Sequence, residues 1–160
     1  MAFTYIYKRR IGSWGLLARV TVDVQPVDEP PREGRRIDDS HIWWLPPQGI
    51  PAAEEKWMAF GLGLVAGQLE TLRDGADALW VRVDDWDVPM LTDYQEEVAA
   101  AAVIECLREN CGIDGVDISL TFDREGNRHQ FTWDGASAEQ GHACPHSSTS
   151  GCTPGGRLTD

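Results

Sequence analysis

The sequence predicts an α+β domain: a two-layer α/β sandwich whose four- to five-stranded sheet carries two helices on one face, followed by a disordered tail. Three observations predict it. Several short segments alternate apolar and polar residues with period two, as half-buried strands do. Two longer segments repeat apolar residues at helical spacing. From Gly135 onward the apolar pattern dissolves into "GASAEQGHACPHSSTSGCTPGGRLTD", a composition unable to bury a core. The expected division is therefore a folded domain over 1–134 and a disordered Gly/Ser/Thr/Cys/His tail over 135–160.

At the amino-terminal end, "FTYIYKRR" reads as a strand with Phe3, Tyr5 and Tyr7 on one face, and a loop containing Gly12, Trp14 and Gly15 succeeds it. "ARVTVDVQP" sets Ala18, Val20, Val22 and Val24 against Arg19, Thr21, Asp23 and Gln25, and Pro26 closes the strand. "VDEPPREGRRIDDS" is a polar loop, and "HIWWL" is a short strand ended by Pro46 and Pro47. A long helix starts near Pro51, which suits a first helical position, with Glu54 and Glu55 in the first turns where the helix dipole favours acids. Its expected buried stripe is Trp57, Gly61, Leu64, Val65, Gln68 and Leu72. Glycine in a helix interior costs about 1 kcal/mol against alanine, so Gly61 implies close packing against a neighbouring element.

"ALWVRV" is the next strand and runs into Asp84, Asp85 and Asp87. "TDYQ" matches a capping box, with Thr92 capping and Gln95 reaching back. The second helix runs from there to about Asn110, with Gly112 as its stop. Ala99, Ala102, Val103 and Cys106 form its buried stripe, and Glu97, Glu105, Arg108 and Glu109 the other side. "GVDISLTFD" and "HQFTW", joined by the turn "REGN", make a terminal hairpin.

Composition narrows the function. The chain has 160 residues, 42% of them apolar, and a formal net charge of −12, which opposes non-specific nucleic-acid binding by the whole surface. The charge is uneven: residues 1–36 hold seven Lys/Arg and four acids, whereas 37–160 hold seven bases and 22 acids. "MAFTYIYKRR" has the reverse charge order of a secretory signal, and "WMAFGLGLVAG" is too short to span a membrane, which takes about 20 residues. Four irregularly spaced cysteines call for no disulfide framework. The expectation is a soluble cytoplasmic protein.

The Gly/aromatic loop "IGSWG" precedes a strand ending in proline, and "GIP" opens the first helix. A glycine within that helix, the strand "WVRV", a loop and the small-residue helix "VAAAAVIECLRE" complete the order. Over residues 5–110 this resembles domain four of elongation factor G and of the tetracycline-resistance ribosomal protection proteins. The resemblance implies a lever whose tip enters the decoding region of the small ribosomal subunit. Carried over by position, the tip is the loops Arg9–Gly15 and Asp85–Thr92. The sequence holds no Gly-rich P-loop, so the expectation is a stand-alone, non-catalytic module without GTPase activity and without cofactor.

The site residues expected on these grounds are Lys8, Arg9, Arg10 and Trp14 in the first loop, with Asp85, Trp86 and Asp87 in the second. Cations beside an aromatic suit RNA, and a ribosome or translation factor is the implied partner. Tryptophan flanked by arginine equally suits a protein interface, so a protein-interaction, accessory or immunity-type module with an acidic surface is the alternative. A metal site at Asp84, Asp85 and Asp87 lacks further converging ligands. "DDSH" lacks the elbow of a serine hydrolase. In the tail, His142, Cys144, His146 and Cys152 are weak zinc candidates, at a spacing no common zinc module uses. The tail also resembles nisin-type lanthipeptides, with Ser148 and Cys152 before "TPG", though Gly156 stands where that family has a cysteine. This implies a third reading, a precursor peptide whose Ser/Thr/Cys tail is modified.

Overall fold

A computed structural model describes residues 1–90 and 93–134. Thr92 and the whole tail, with His142, Cys144, His146 and Cys152, lie outside the described residues. The remaining chain is α+β: a five-stranded mixed sheet, two helices and a two-stranded hairpin.

The main sheet is ordered β1 (Ala2–Ile11), β2 (Trp14–Val27), β5 (Ala78–Asp87), β4 (Ile42–Leu45) and β3 (Arg35–Arg36). β1–β2 and β2–β5 pair antiparallel, whereas β4 and β5 are parallel because α1 (Ala52–Leu69) carries the chain across between them. Period-two alternation sends Tyr7, Leu16, Ala18, Val20 and Val22 inward, all buried, and leaves Lys8, Arg19 and their neighbours on the outer face.

Pro26 does not close β2, which continues through it to Val27. Val24 donates to the Met1 carbonyl, so the outward groups of Pro26, two residues on, face the same side, where β1 has already ended. The missing N–H of proline costs no ladder bond there. Pro51 lies one position before the first helical residue, with φ −60° and ψ 146°.

The buried face of α1 is turned from the expected stripe. Met58, Leu62, Val65 and Leu69 are fully buried with Trp57 and Gly61, while Leu64 and Gln68 are half-buried. Gln68 is polar in an apolar stripe for a reason: its side-chain amide donates to the Gly115 carbonyl at 2.7 Å and accepts from the Gly115 N–H at 2.8 Å.

α2 spans Glu97–Cys111, starting four residues later than a cap at Thr92 would place it, and stops at Gly112. Gln95 does not reach back to a helix terminus because its amide is bound to the backbone of His129. The stripe Ala99, Ala102, Val103 and Cys106 is buried as expected, but so are Val98, Ala100, Ala101, Ile104 and Leu107. The helix contacts β1, β2 and α1. Glu97, placed on the exposed side by its spacing, is 6% exposed and ion-paired to Arg128. A buried carboxylate is tolerated only with such a partner.

Gly61 is where the helices meet. A Cβ on Gly61 would stand 3.0 Å from both the Cα and the carbonyl oxygen of Ala100. The expected close packing is therefore a backbone-to-backbone approach between α1 and α2. β6 (Asp117–Asp123) and β7 (Arg128–Asp134) form the expected hairpin as a separate two-stranded sheet. Its apolar face lays Trp133 against Trp57 and Phe60 of α1, at centroid distances of 6.2 and 5.7 Å. No helix among the described residues is long and apolar enough to cross a membrane.

Gly61→Ala is expected to destabilise the fold by about 1–3 kcal/mol, the usual cost of overpacking. Gly67→Ala in the same helix, where a Cβ meets nothing within 4 Å, is expected to stabilise by up to about 1 kcal/mol. Urea denaturation of both variants checks the contrast.

Candidate functional site

The hairpin tip and the β5–α2 connection meet at Gly15 and Asp93, but neither is the loop the sequence suggested. The first is a two-residue turn, Gly12–Ser13, with Gly12 at φ 62°, the left-handed conformation that type II′ hairpins place at their first turn position. Trp14 and Gly15 already belong to β2.

The second is displaced further. Asp84, Asp85, Trp86 and Asp87 are not in a loop: they form the end of strand β5. The register steps from Thr21↔Asp85 to Val22↔Val83, so Asp84 is the extra residue of a bulge. The bulge reverses the facing of the residues after it. Trp86 pairs with Val20 and packs on the core, while Asp85 and Asp87 emerge on the outer face beside Arg19. The Arg19 guanidinium lies 3.2 Å from Asp85 and 3.9 Å from Asp87. Asp84 pairs with Arg82 at 2.5 Å, and Arg82 reaches Asp23 at 3.2 Å. Asp23 is held below the usual carboxylate range, chiefly by the amino-terminal ammonium 2.6 Å away, and also by Gln25 and Arg82. These acids form a cross-strand ladder of ion pairs. Among the described residues no group of three His, Cys, Asp or Glu side chains is placed to hold a metal ion.

The connection from β5 to α2 docks beside the hairpin tip. The Asp93 N–H donates to the Gly15 carbonyl at 3.0 Å, and the Asp93 carboxylate accepts from the Gly15 N–H at 2.8 Å. This lays Asp93 alongside Leu16 as an isolated parallel bridge. Next to it Trp14 stacks on Phe122 of β6, with centroids 5.4 Å apart. Phe122 in turn meets the His129 ring edge-on at 5.2 Å. Gln95 grips the backbone of His129 from both sides, donating to its carbonyl at 2.8 Å and accepting from its N–H at 2.5 Å.

Together these groups frame a cavity of about 330 Å³, lined by Trp14, Asp93, Tyr94, Phe122, Arg128 and His129 among others. His129 is 2% exposed, and among the described residues no hydrogen-bond partner meets its Nε2. Burial lowers its pKa from the ordinary histidine value, opposed by the Asp93 carboxylate. The imidazole is therefore neutral at pH 7. Cys106 offers no nucleophile at that pH, since burial, with Cys111 nearby, pushes its thiol up to about 12.

Lys8, Arg9 and Arg10 are exposed at the end of β1 leading into the turn. Arg9 lies over the Tyr7 ring at 4.8 Å and donates to the Lys8 carbonyl, and Arg10 donates to the Gly12 carbonyl. Among the described residues none of the three has a carboxylate within ion-pair distance. By contrast Arg19, Arg35, Arg73, Arg82, Arg108 and Arg128 all do. Trp14 is half-buried against Phe122, so it anchors the tip instead of presenting a free ring.

Sequence reasoning missed Phe122 as the partner of Trp14, and Asp93, Gln95 and His129 as residues lining the same cavity. The one available signal was that His129 alternates with Phe131 and Trp133, which put a histidine on the apolar face of the hairpin. No protein-family model matches this chain, and no curated protein matches it in sequence.

The His129 environment sets a pH dependence. Its folded pKa lies below the unfolded value of about 6.5, so the unfolded chain takes up the proton first. Stability is complete above about pH 6.5 and falls as pH drops from there toward the lower folded value. Thermal unfolding at pH 7.5 and 5.5 should show a drop in Tm that His129→Phe reduces. Gln95→Ala, which leaves the buried His129 N–H and carbonyl without partners, is expected to cost about 1–3 kcal/mol in the same assay at pH 7.5.

Proposed function

We propose that this protein is a non-catalytic, translation-associated binding module. The end of its β1–β2 hairpin contacts RNA of the ribosome through Lys8, Arg9 and Arg10. The observation that carries the reading is a cluster: these three exposed cations stand consecutively at the end of β1 without carboxylate partners among the described residues, whereas the other cations without an ion pair there, Arg32, Arg36, Lys56 and Arg124, are scattered and six arginines are ion-paired. Phosphate is the natural counterion for unpaired cations of this kind. The aspartates that would repel a phosphate backbone are engaged: Asp85 and Asp87 by Arg19, and Asp84 by Arg82.

The ribosome as partner, and with it a cytoplasmic location, comes from the resemblance to domain four of elongation factor G. The α+β fold and the adjacency of hairpin tip and β5–α2 connection are compatible with that resemblance. In this reading Trp14 holds the tip in shape by stacking on Phe122, and contact with bases falls to the arginines. The alternative of a protein-interaction or immunity-type module has less support at this tip, because Asp85 and Asp87 are paired with Arg19.

Co-sedimentation with ribosomes across a salt series tests the proposal. Co-migration should fall as salt rises. The triple variant Lys8→Ala, Arg9→Ala, Arg10→Ala should bind at least tenfold more weakly, with a log–log salt slope shallower by about 2. Binding that ignores salt but is lost in Trp14→Ala would point to a protein partner. Absence of co-migration at every salt concentration would overturn the reading.

A further inference from the structure

β1 ends the five-stranded sheet on one side, and the other end is the two-residue β3. β1 is ten residues long and, among the described residues, pairs only with β2. Its ladder can be phased from one bond: Val24 donates to the Met1 carbonyl, so Met1, Phe3, Tyr5, Tyr7 and Arg9 turn their backbone groups toward β2. The backbone N–H and C=O groups of Ala2, Thr4, Ile6, Lys8 and Arg10 therefore point away from the sheet. A long edge of this kind is a template for another strand, and folded proteins usually block it. Here the block is partial. Lys8 and Arg10 stand at one end only, and Ile6, at the centre, is 60% exposed.

We propose that β1 pairs with β1 of a second copy of this chain, antiparallel and centred on Ile6, joining the two main sheets into one. Centring on Ile6 pairs residues whose numbers sum to 12. Ile6 then meets Ile6 of the second copy, Thr4 meets Lys8, and Ala2 meets Arg10. Every outward backbone group of the strand finds a partner, and the two exposed isoleucines cover one another on the outer face. Antiparallel pairing also carries the two cationic ends away from each other, whereas parallel pairing would stack them.

The charges on the other face of the strand select the same partner. Phe3, Tyr5, Tyr7 and Arg9 point toward α2, and the centred register brings Arg9 of one copy opposite Phe3 of the other. Phe3 is where α2 comes alongside, since its carbonyl lies 3.8 Å from the Cys106 sulfur. Glu109 lies one turn further along α2, near Tyr5, whose pKa is raised chiefly by burial and further by Glu105 and Glu109 against the opposing Arg9. Glu109 has no ion-pair partner among the described residues, whereas Glu105 has Arg108. Arg9 of the second copy would supply Glu109 with one, releasing the Lys8 carbonyl that Arg9 holds at 2.9 Å in the single chain. An open groove of about 810 Å³, lined by Arg9, Glu105, Arg108 and Glu109 with residues of the hairpin, gives that side room for the incoming strand.

Sedimentation velocity over a concentration series decides the matter. The expected result is a rise toward twice the 17.8 kDa chain mass, with the amides of Thr4, Ile6 and Lys8 protected from hydrogen exchange in the dimer. Ile6→Pro removes an N–H that β2 does not use, so it should retain the native circular dichroism and stay monomeric. Should that variant fail to fold, Ile6→Lys and Arg9→Glu serve in its place: both should be monomeric, and adding Glu109→Arg to Arg9→Glu should restore the dimer. A monomer at every concentration, or a dimer that survives Ile6→Lys and Arg9→Glu, overturns the proposal.

Discussion

The contact between Gly61 and Ala100 sets the terms for the rest of the molecule. Two helix backbones can come this near only if one contributes no side chain and the other a methyl group. α2 meets the requirement with a run of alanines, Ala99 to Ala102, all fully buried. Such a helix is thin, so it can contact β1 and β2 closely while α1 lies against its flank. Bulk removed from α2 reappears around it, in Tyr7, Trp57, Met58 and Leu62. The exposed ring surface of Trp57 and Phe60 is then covered by the hairpin, whose aromatic face could not dock if the helices stood further apart. Packing here is a matter of small residues at the centre and large ones outside.

Much of this order was legible because backbone periodicity reports directly on burial. The strands from Phe3 to Val24 and the hairpin over 117–134 carry the alternation that a half-buried strand must have, and the parallel pair flanking α1 shows as the short apolar runs "HIWWL" and "ALWV". Gly61 was legible too, since a glycine inside a helical pattern needs a steric reason. What escaped was phase and polarity. Met58 and Leu62 replaced Leu64 in the stripe because the whole α1 segment is apolar, so spacing alone could not say which side was covered. Glu97 read as exposed because its partner, Arg128, is 31 residues away. The capping box at Thr92 to Gln95 had the right letters, but Gln95 is drawn to His129, a long-range bond that no local pattern records.

Two glutamines show how the hairpin is held without joining the main sheet. Gln68 clasps Gly115 where the hairpin segment begins, and Gln95 clasps His129 at the start of β7. Each amide supplies one donor and one acceptor, the pair a neighbouring strand would offer. The polar groups of a detached sheet are thus met by side chains reaching from the helical layer. The candidate site was the least legible part for the same reason: its geometry rests on Asp93 and Gln95 of the β5–α2 connection and Phe122 of β6, while the residues that drew attention in the sequence, Asp85 and Asp87, turned out to be partners of Arg19 on a strand.

The bulge at Asp84 gives this chain two reading frames within one strand. From Ala78 to Val83 odd-numbered residues face the core, and after it even-numbered ones do, which is why Trp86 is inside. A relative lacking the extra residue would present the same sheet with its letters shifted by one. Aligned without a gap, its core positions would fall on Asp85 and Asp87 and its surface positions on Trp86, so true kinship would score as mismatch along the end of β5. Comparison by position therefore has to open a gap of one residue at Asp84 before the two halves of the strand can be read together.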